Sequence, residues 1–353
     1  MGILNMSGKK RTGIRSLALM LIMSLLLFTG CRTPEHKDVT PTTKNEVCTI
    51  GLSFDSFVIE RWTRDRDVFV STANELGAEV NVQSAGGDVA TQISQIKHFI
   101  EIGVDAIVII TADAVALKDV LKEAAGKGIP VICYDRLVRD AGADLYISFD
   151  NEAVGKQMAE AICSNVPDGG KIVEIMGPES DYNVAQVMNG FDAVCAEHNM
   201  NISLKFNCDN WKPELAYDFV NEHFEEISSA DAIMCGNDAL AGEAIHALAE
   251  RGFAGKIYVT GQDGDLEACQ RLVEGTQLVT VYKPVEKLAR LAAECAVKLA
   301  SGESIDNKDT FFDGSNDIPY IAIEPSAVTR ENLDEVIIDS GFHLREEIYM
   351  NEG

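Results

Sequence analysis

The amino-acid sequence predicts an α/β protein built from two doubly wound lobes, each with a parallel sheet. From residue 47 on, short β-branched runs alternate with amphipathic helical stretches. The strand-like runs are apolar almost without a break, which is typical of parallel strands covered by helices on both faces. The chain of 353 residues carries at least ten such runs, and that number fits two medium-sized sheets better than one very large sheet.

The first lobe is predicted from the strands and helices of the N-terminal half. Its helical stretches carry apolar stripes, and one of them consists of Val89, Ile93, Ile96 and Ile100, which recur at helical spacing. The strands are predicted at residues 47–54, 78–82, 106–110, 130–134 and 145–148. The last of these strands ends near Asp150, where we place the seam between the lobes.

The second lobe repeats the same alternation. Its strands are predicted at residues 171–176, 203–206, 232–235, 256–260 and 278–282, with one more at 318–323. A helix is predicted over residues 285–299, and in two-lobed binding folds a helix in this place crosses back to the first lobe. We therefore predict a multi-stranded hinge, with residues 47–150 and 284–313 in the N-terminal lobe and residues 151–283 and 314–350 in the C-terminal lobe.

The N-terminus predicts export and attachment to a membrane. Four basic residues between positions 9 and 15 precede an apolar run over residues 17–28, which is the length of a signal-peptide core and too short for an ordinary transmembrane helix. The run ends in Phe28-Thr29-Gly30-Cys31, which resembles a bacterial lipobox. We therefore expect a signal peptide at 1–30, a lipid on Cys31 and a flexible tether at 31–46. An ordinary secreted protein and an uncleaved anchor are the alternatives.

The other eight cysteines are predicted to be thiols. An even number in an exported chain also allows disulfides, but most of these residues lie in apolar strand or helix positions and none forms a CxxC pair. They are Cys48, Cys133, Cys163, Cys195, Cys208, Cys235, Cys269 and Cys295.

The net charge of −26 excludes several classes of partner. A surface this acidic repels nucleic acid and anionic lipid head groups, so the charge favours a neutral or cationic ligand. The DNA-binding headpiece and basic face of a sugar-responsive repressor are both absent from the sequence. Phosphate-binding glycine loops, a nucleophile elbow and an HExxH motif are absent as well.

Polar side chains follow the predicted strands at the ends where open α/β sheets bind ligands. Loops are polar in general and Asp or Asn often caps a helix, so many of these residues need no function. That explanation fits Arg136, Lys283 and Trp211 poorly, because none of them is a preferred cap. The residues at these strand ends include Asp55, Arg61, Trp62, Asp135, Arg136, Asp181, Asn183, Trp211, Asn237, Gln262, Asp263 and Lys283.

These residue types suit recognition of a sugar. Carboxylates and amides exchange hydrogen bonds with hydroxyl groups, and the planar fork of arginine can serve two oxygens at once. The only two tryptophans, Trp62 and Trp211, both adjoin these polar positions and could pack on the C–H faces of a sugar ring. A pair such as Asp135 with Asp263 could also serve a glycosidase. No metal site is predicted, although an ion near residues 306–314 stays an open alternative.

A series of short motifs resembles the periplasmic D-xylose-binding proteins of the ribose-binding superfamily. The resemblance extends from Cys48 to Met350 and implies the venus-flytrap fold of type I periplasmic binding proteins. Its motifs are Glu60-Arg61-Trp62, Asp65-Arg66-Asp67, Val82-Gln83-Ser84-Ala85, Tyr134-Asp135-Arg136, Tyr146 to Asn151, Gly236-Asn237-Asp238-Ala239, Gly261-Gln262-Asp263, Thr276-Gln277, Val281-Tyr282-Lys283-Pro284 and Gly341-Phe342-His343.

The resemblance also implies which residues contact the sugar in the cleft between the lobes. Arg61, Trp62, Asp135 and Arg136 would come from the first lobe, Asp181, Asn183, Trp211, Asn237 and Asp263 from the second, and Lys283 from the hinge. Tyr182 departs from the family pattern, as do Ala112 and Asp113, and these departures leave the identity of the sugar open among pentoses and hexoses.

The function implied by the resemblance is that of an extracytoplasmic lipoprotein without a cofactor. It would be a monomer that binds a monosaccharide, D-xylose first, and delivers it to a membrane ABC permease. A receptor that presents its closed form to a sensor kinase or chemoreceptor is the alternative, and an enzyme that processes glycosides is a third reading.

Overall fold

A computed structural model describes residues 47–350 of the chain. The predicted signal peptide, the tether and Cys31 lie outside the described residues. Residues 47–350 belong to one compact unit that contains both predicted lobes. None of the helices in this part of the chain is both long and apolar enough to cross a membrane.

The first lobe contains a sheet of seven strands. Their spatial order is β11-β12-β5-β4-β3-β1-β2, and all are parallel except β11, which pairs antiparallel with β12. The strands are β1 (Cys48–Phe54), β2 (Ala78–Ser84), β3 (Ala106–Ile109), β4 (Val131–Tyr134), β5 (Leu145–Phe149), β11 (Thr310–Phe312) and β12 (Asp317–Ile323). The central strands β3, β4 and β5 are buried along their whole length, as their unbroken apolar sequences predict.

The second lobe contains a sheet of six strands in the order β13-β10-β9-β8-β6-β7, with only β13 antiparallel. The strands are β6 (Lys171–Met176), β7 (Asn201–Asn207), β8 (Ala232–Cys235), β9 (Tyr258–Asp263), β10 (Val279–Tyr282) and β13 (Ser326–Val328). Two parallel-sheet lobes of this kind confirm the predicted fold class.

Helices cover both sheets. In the described part of the chain they are α1 (Arg61–Glu75), α2 (Val89–Ile102), α3 (Lys118–Gly126), α4 (Asn151–Cys163), α5 (Tyr182–Glu197), α6 (Pro213–Glu222), α7 (Phe224–Ile227), α8 (Asp238–Glu250), α9 (Leu266–Glu274), α10 (Val285–Ala300) and α11 (Arg345–Ile348). A 3₁₀ turn lies at Asp209–Trp211 and a π-helical turn at Asp334–Ile338. As predicted, α10 crosses back to the first lobe, where it packs against α1.

The chain passes between the lobes three times, which makes the hinge multi-stranded. The crossings follow β5, β10 and β12, and a hydrogen bond from Asp150 N to Ile323 O, at 3.2 Å, joins two of them. The predicted boundary at residue 314 needs correction, because β12 (Asp317–Ile323) pairs with β5 in the first sheet. The chain therefore enters the second lobe only after Ile323.

The eight cysteines of the described residues are free thiols. Six of them are buried, and burial raises the pKa of Cys133 and Cys208 to about 12, which disfavours the reactive thiolate. No cluster of metal-binding side chains occurs within residues 47–350. Residues 306–314 are the segment in which the sequence left ion binding as an alternative. There the Asp313 carboxylate accepts hydrogen bonds from the backbone nitrogens of Gly142, Ser315 and Asn316.

Glu174 is a buried carboxyl group on β6, the strand next to the edge strand β7 of the second sheet. It has no exposed surface, and its Oε2 lies 2.8 Å from Nζ of Lys205 on the neighbouring strand β7. Burial raises the pKa of Glu174 to about 7, because Lys205 offsets only part of the effect. The folded protein therefore binds a proton here at a pH where the unfolded chain, with a glutamate pKa of about 4.3, has released it.

This shift predicts that folding stability falls as the pH rises from about 4.3 to 7, since the folded state binds more protons in that window. We expect Glu174→Gln to remove this loss and to raise the thermal midpoint at pH 8 by about 2–4 °C, with little change at pH 5. Thermal unfolding at both pH values measures the effect. Asp192→Asn, at an exposed neighbour of Lys205, is the control. Equal pH dependence in the glutamine variant and the unmodified protein would contradict the prediction.

Candidate functional site

The polar strand ends of the two lobes meet around one cavity. Arg61, Trp62, Asp135 and Arg136 line it from the first lobe, and Lys283 lies at the hinge. From the second lobe come Asp181, Asn183, Trp211, Asn237 and Asp263. All ten residues predicted from the sequence are therefore together at this cavity. Its wall also includes Ile59, Met176, Val184, Val187 and Gln262.

Arg61 is fixed by carboxylates on both sides. It stands in the first turn of α1 and binds Asp65, four residues later on the same helix, through two nitrogens at 2.9 and 3.3 Å. Its remaining nitrogen Nη1 donates to Oδ2 of Asp135 at 2.8 Å. Tyr134 donates its hydroxyl to Asp65 from the end of β4. These contacts leave the guanidinium group one orientation, with its face 4.3 Å from the ring centre of Trp62.

Asp135 is held ionised at the wall of the cavity. Burial would raise its pKa, but the positive charges of Arg61 and Lys283 outweigh that effect and lower the pKa below its usual value. Its Oδ1 accepts a hydrogen bond of 3.0 Å from Nδ2 of Asn183 in the other lobe. A carboxylate that stays ionised is an acceptor for hydroxyl groups and is poorly suited to donate a proton.

Arg136 joins the two lobes. Its Nη1 donates to Asp55 of the first lobe at 2.7 Å, and its Nε lies 2.7 Å from Oδ2 of Asp181 in the second lobe. Burial disfavours the charge on Arg136, but the two carboxylates outweigh it and raise the arginine pKa. The guanidinium group also lies between the rings of Trp62 and Trp211, at 5.5 and 5.9 Å from their centres. Arg136 thus occupies the middle of the closed cleft.

The second lobe supplies residues from the starts of two helices. Asp181 caps α5, where its side chain accepts from Asn183 N at 3.0 Å. Its other oxygen accepts from the indole nitrogen of Trp211 at 3.1 Å. Asn237 caps α8 in the same way, through an oxygen that accepts from Leu240 N at 2.9 Å. Capping fixes the oxygen of Asn237 and leaves its amide nitrogen directed away from the helix.

Three buried polar atoms of cavity-lining residues have no hydrogen-bond partner among the described residues. They are the donors Nε1 of Trp62 and Nδ2 of Asn237, and the acceptor Oε1 of Gln262. A buried polar atom without a partner is costly, so such an atom in a native site commonly awaits a ligand or water. The Nε2 of Gln262 donates to Gly236 O, which orients the free oxygen. The site therefore offers an uncharged donor and acceptor beside its charged groups.

Backbone strain concentrates at the cavity. Six residues other than glycine have a positive φ in the described chain, and three of them, Asp135, Trp211 and Asp263, line the cavity. Such conformations cost about 1–3 kcal/mol each for most residues and tend to occur where a side chain must be aimed. The ring of Trp211 also approaches the backbone closely at Gly177, where a Cβ would stand 2.3 Å from it.

Several residues of this site were not among the predicted sugar contacts. Gln262 stands beside Asp263 and was among the polar residues recognised at the strand ends, so its position carried a signal. The opposite charges of Arg61 and Asp65 at helical spacing were also visible in the sequence. The apolar wall residues Ile59 and Val184 had no such signal, because an apolar residue next to a polar loop looks like any core residue.

Comparisons with known proteins agree with this geometry. Residues 50–304 match the family described as periplasmic binding protein domain. The chain is 39% identical to the D-xylose-binding periplasmic protein of Haemophilus influenzae, over 95% of this chain and 99% of the relative. It is 40% identical to the D-xylose-binding periplasmic protein of Escherichia coli, over 85% of this chain and 92% of the relative.

A similar solved structure is an ABC transporter solute binding protein from Clostridium phytofermentans with bound β-D-glucose. It superposes with a TM-score of 0.77 at 27% identity and covers 85% of this chain and 99% of its own. The relatives named here are binding proteins rather than enzymes. The chain therefore belongs to the periplasmic binding protein family, as its sequence motifs predicted, within the ribose-binding superfamily that includes the D-xylose-binding proteins.

Proposed function

We propose that this protein captures free D-xylose outside the cytoplasmic membrane and delivers it to an ABC importer. The observation that carries the proposal is the cavity between the lobes. It combines charged hydrogen-bonding groups, two tryptophan rings and unpaired polar atoms on Trp62, Asn237 and Gln262. The D-xylose-binding relatives at 39 and 40% identity support xylose as the first sugar to test.

The cavity suits a small polyhydroxylated ring. Asp135, Asp181 and Asp263 accept hydrogen bonds from sugar hydroxyls, while Arg61 and Arg136 donate to the same oxygens. Micromolar affinity needs about 8 kcal/mol, which a ligand of about ten heavy atoms reaches only when nearly every hydroxyl is paired. Such a site discriminates strongly, because a missing or inverted hydroxyl leaves a buried charged group without its partner.

Closure of the lobes accompanies binding in this proposal. The lobes already touch through the pair of Arg136 with Asp181, the hydrogen bond of Asn183 to Asp135, and a bond of 2.9 Å from Ala114 N to Ser180 O. A sugar that contacts both lobes adds interactions available only to the closed form and so shifts the population toward it. The permease then recognises the closed form.

The N-terminal sequence supports attachment of the protein to the outer face of the membrane. A lipid on Cys31 and a tether of about 16 residues, with a root-mean-square reach of about 20–25 Å, would hold the folded body near the bilayer surface. The residues proposed to contact the sugar all lie on one chain, so we expect a monomer to bind it.

Calorimetric titration of the purified protein with D-xylose, ribose, arabinose and glucose tests the proposal. We expect one-to-one binding of D-xylose with a micromolar or lower dissociation constant and weaker binding of the other three sugars. Tighter binding of another sugar would contradict xylose as the ligand. No heat with any sugar would overturn the function as a whole.

A further inference from the structure

The C-terminal motif Gly341-Phe342-His343 lies at the boundary of the lobes. Arg64, one turn along α1 from Arg61 in the first lobe, donates from Nη1 to Phe342 O at 2.8 Å. Its guanidinium group also stacks on the Phe342 ring, with 4.2 Å between the guanidinium carbon and the ring centre. The first lobe therefore holds this segment by a hydrogen bond and by a cation–π contact.

The second lobe holds the same segment from the other side. The ring of Phe342 packs on that of Tyr282 at 4.8 Å, and Nε2 of His343 lies 2.8 Å from Gly264 O. Since a carbonyl oxygen only accepts, Nε2 must carry the proton and donate. Burial lowers the pKa of His343, and the charge of nearby Arg64 lowers it further, and together they outweigh the hydrogen bond to Gly264 O and the charge of Glu347, which raise it. The imidazole is therefore neutral near pH 7, and it is buried together with Phe342.

Gly264 directly follows Asp263, one of the charged residues of the cavity. Both residues have a positive φ, 104° at Asp263 and 75° at Gly264, so this turn is strained and must be held in place. The buried carboxylate of Asp238 accepts from Gly264 N at 3.0 Å and from Asp265 N at 3.1 Å. Asp238 thus fixes the amide side of the turn, and His343 fixes its carbonyl side.

We propose that His343 is a positioning residue for sugar binding, which holds the Asp263-Gly264 turn so that the Asp263 carboxylate faces the cavity. Arg64 connects this segment to the first lobe, because it donates a hydrogen bond to Phe342 O when the lobes are closed. A chain of direct contacts then runs from α1 through Phe342, His343 and Gly264 to Asp263. The inference rests on the proposed sugar binding, whereas the control of the turn by His343 does not.

The test compares His343→Ala with His343→Gln. The amide nitrogen of glutamine reaches about as far as Nε2 of histidine and can donate to Gly264 O. We expect His343→Ala to weaken D-xylose binding about tenfold or more, and His343→Gln to restore affinity to within about threefold of the unmodified protein. A purely space-filling role for His343 would give no such rescue. Equal affinity in the unmodified protein and the alanine variant would overturn the proposal, as would equal weakness of both variants.

Hydrogen–deuterium exchange without sugar provides a second readout that does not depend on the ligand. We expect His343→Ala to speed exchange of the Gly264 and Asp265 amides at least about tenfold, with little change in the sheet core. Unchanged protection of both amides would overturn the proposal even if no sugar bound. Failure of the unmodified protein to bind any sugar would instead count against the proposed function.

Arg64→Ala keeps the experiment decisive if His343→Ala folds poorly. Arg64 is partly exposed on α1, and Arg66→Ala on the same helix is the matched control. We expect Arg64→Ala to weaken binding about three- to tenfold and Arg66→Ala to leave it unchanged. Both contacts act through one segment, so their effects should not be additive. The loss of affinity in the double variant Arg64→Ala/His343→Ala should therefore be smaller than the product of the losses in the two single variants. Full affinity in Arg64→Ala would remove the first lobe from this proposal.

Discussion

Replacement of Arg136 by alanine is expected to weaken D-xylose binding about 1000-fold or more. Arg136 is buried and binds Asp55 and Asp181 at 2.7 Å each, so its removal leaves two buried carboxylates without their counter-ion. Loss of one partner from a buried charge pair costs about 2–5 kcal/mol, and here the lost partner also contacts the ligand cavity. Calorimetric titration with D-xylose at pH 7 measures the change.

Two further variants separate charge from geometry. Arg136→Lys keeps the positive charge but loses the planar fork that serves Asp55 and Asp181 together, so its affinity should fall between those of the alanine variant and the unmodified protein. Arg290→Ala removes an exposed arginine from α10 and should bind normally. Circular dichroism must show that each variant is folded. A folded Arg136→Ala protein with affinity within threefold of the original would remove Arg136 from the binding site.

The sequence predicted the residues of this site because topology and chemistry pointed to the same positions. Parallel strands bring their carboxyl ends to one edge, so polar residues far apart in sequence must meet there. Arg136, Trp211 and Lys283 stood out at those ends because none of them is a helix cap. Asp181 and Asn237 were less distinct, since both do cap helices in the structure, and their position at the cavity is an additional role.

The sequence was less informative about strands whose position in a sheet depends on pairing with a distant segment of the chain. The strands β11 and β13 have only three residues each, too few for a periodic pattern. The strand β12 was recognised, but its apolar sequence suits either sheet. Its lobe depends on pairing with β5, about 170 residues earlier in the chain, and local sequence carries no information about that partner.

The supporting residues behind the cavity were hidden for a related reason. Tyr134 does not line the cavity, yet its hydroxyl holds Asp65, the residue that orients Arg61. Asp238 and His343 act in the same way on the turn after Asp263. Each of these roles depends on a hydrogen-bond partner brought near by folding, so the residue type alone could not reveal it.

Asp135→Asn is expected to weaken D-xylose binding about 100-fold at every pH from 5 to 8. Asparagine tolerates the positive φ of 61° at this position, so the backbone should be unchanged. The Asp135 carboxylate accepts from Arg61 through one oxygen and from Asn183 through the other. An amide has only one oxygen, so whichever way it turns, its NH₂ group faces a donor and an unfavourable contact results.

The dependence of affinity on pH distinguishes loss of an ionised acceptor at Asp135 from loss of a protonated acid that donates to the sugar. Because the pKa of Asp135 is below its usual value, the carboxylate is fully ionised from pH 5 to 8, and the unmodified protein should bind with constant affinity over that range as far as Asp135 is concerned. If Asp135 acted as a proton donor to the sugar, affinity would rise as the pH fell, and the asparagine variant would lose that slope. A flat loss of about 100-fold, with the thermal midpoint preserved, would show that the charge and paired oxygens of Asp135 bind the ligand. Affinity within threefold of the original would instead mean that Asp135 does not contribute to sugar binding.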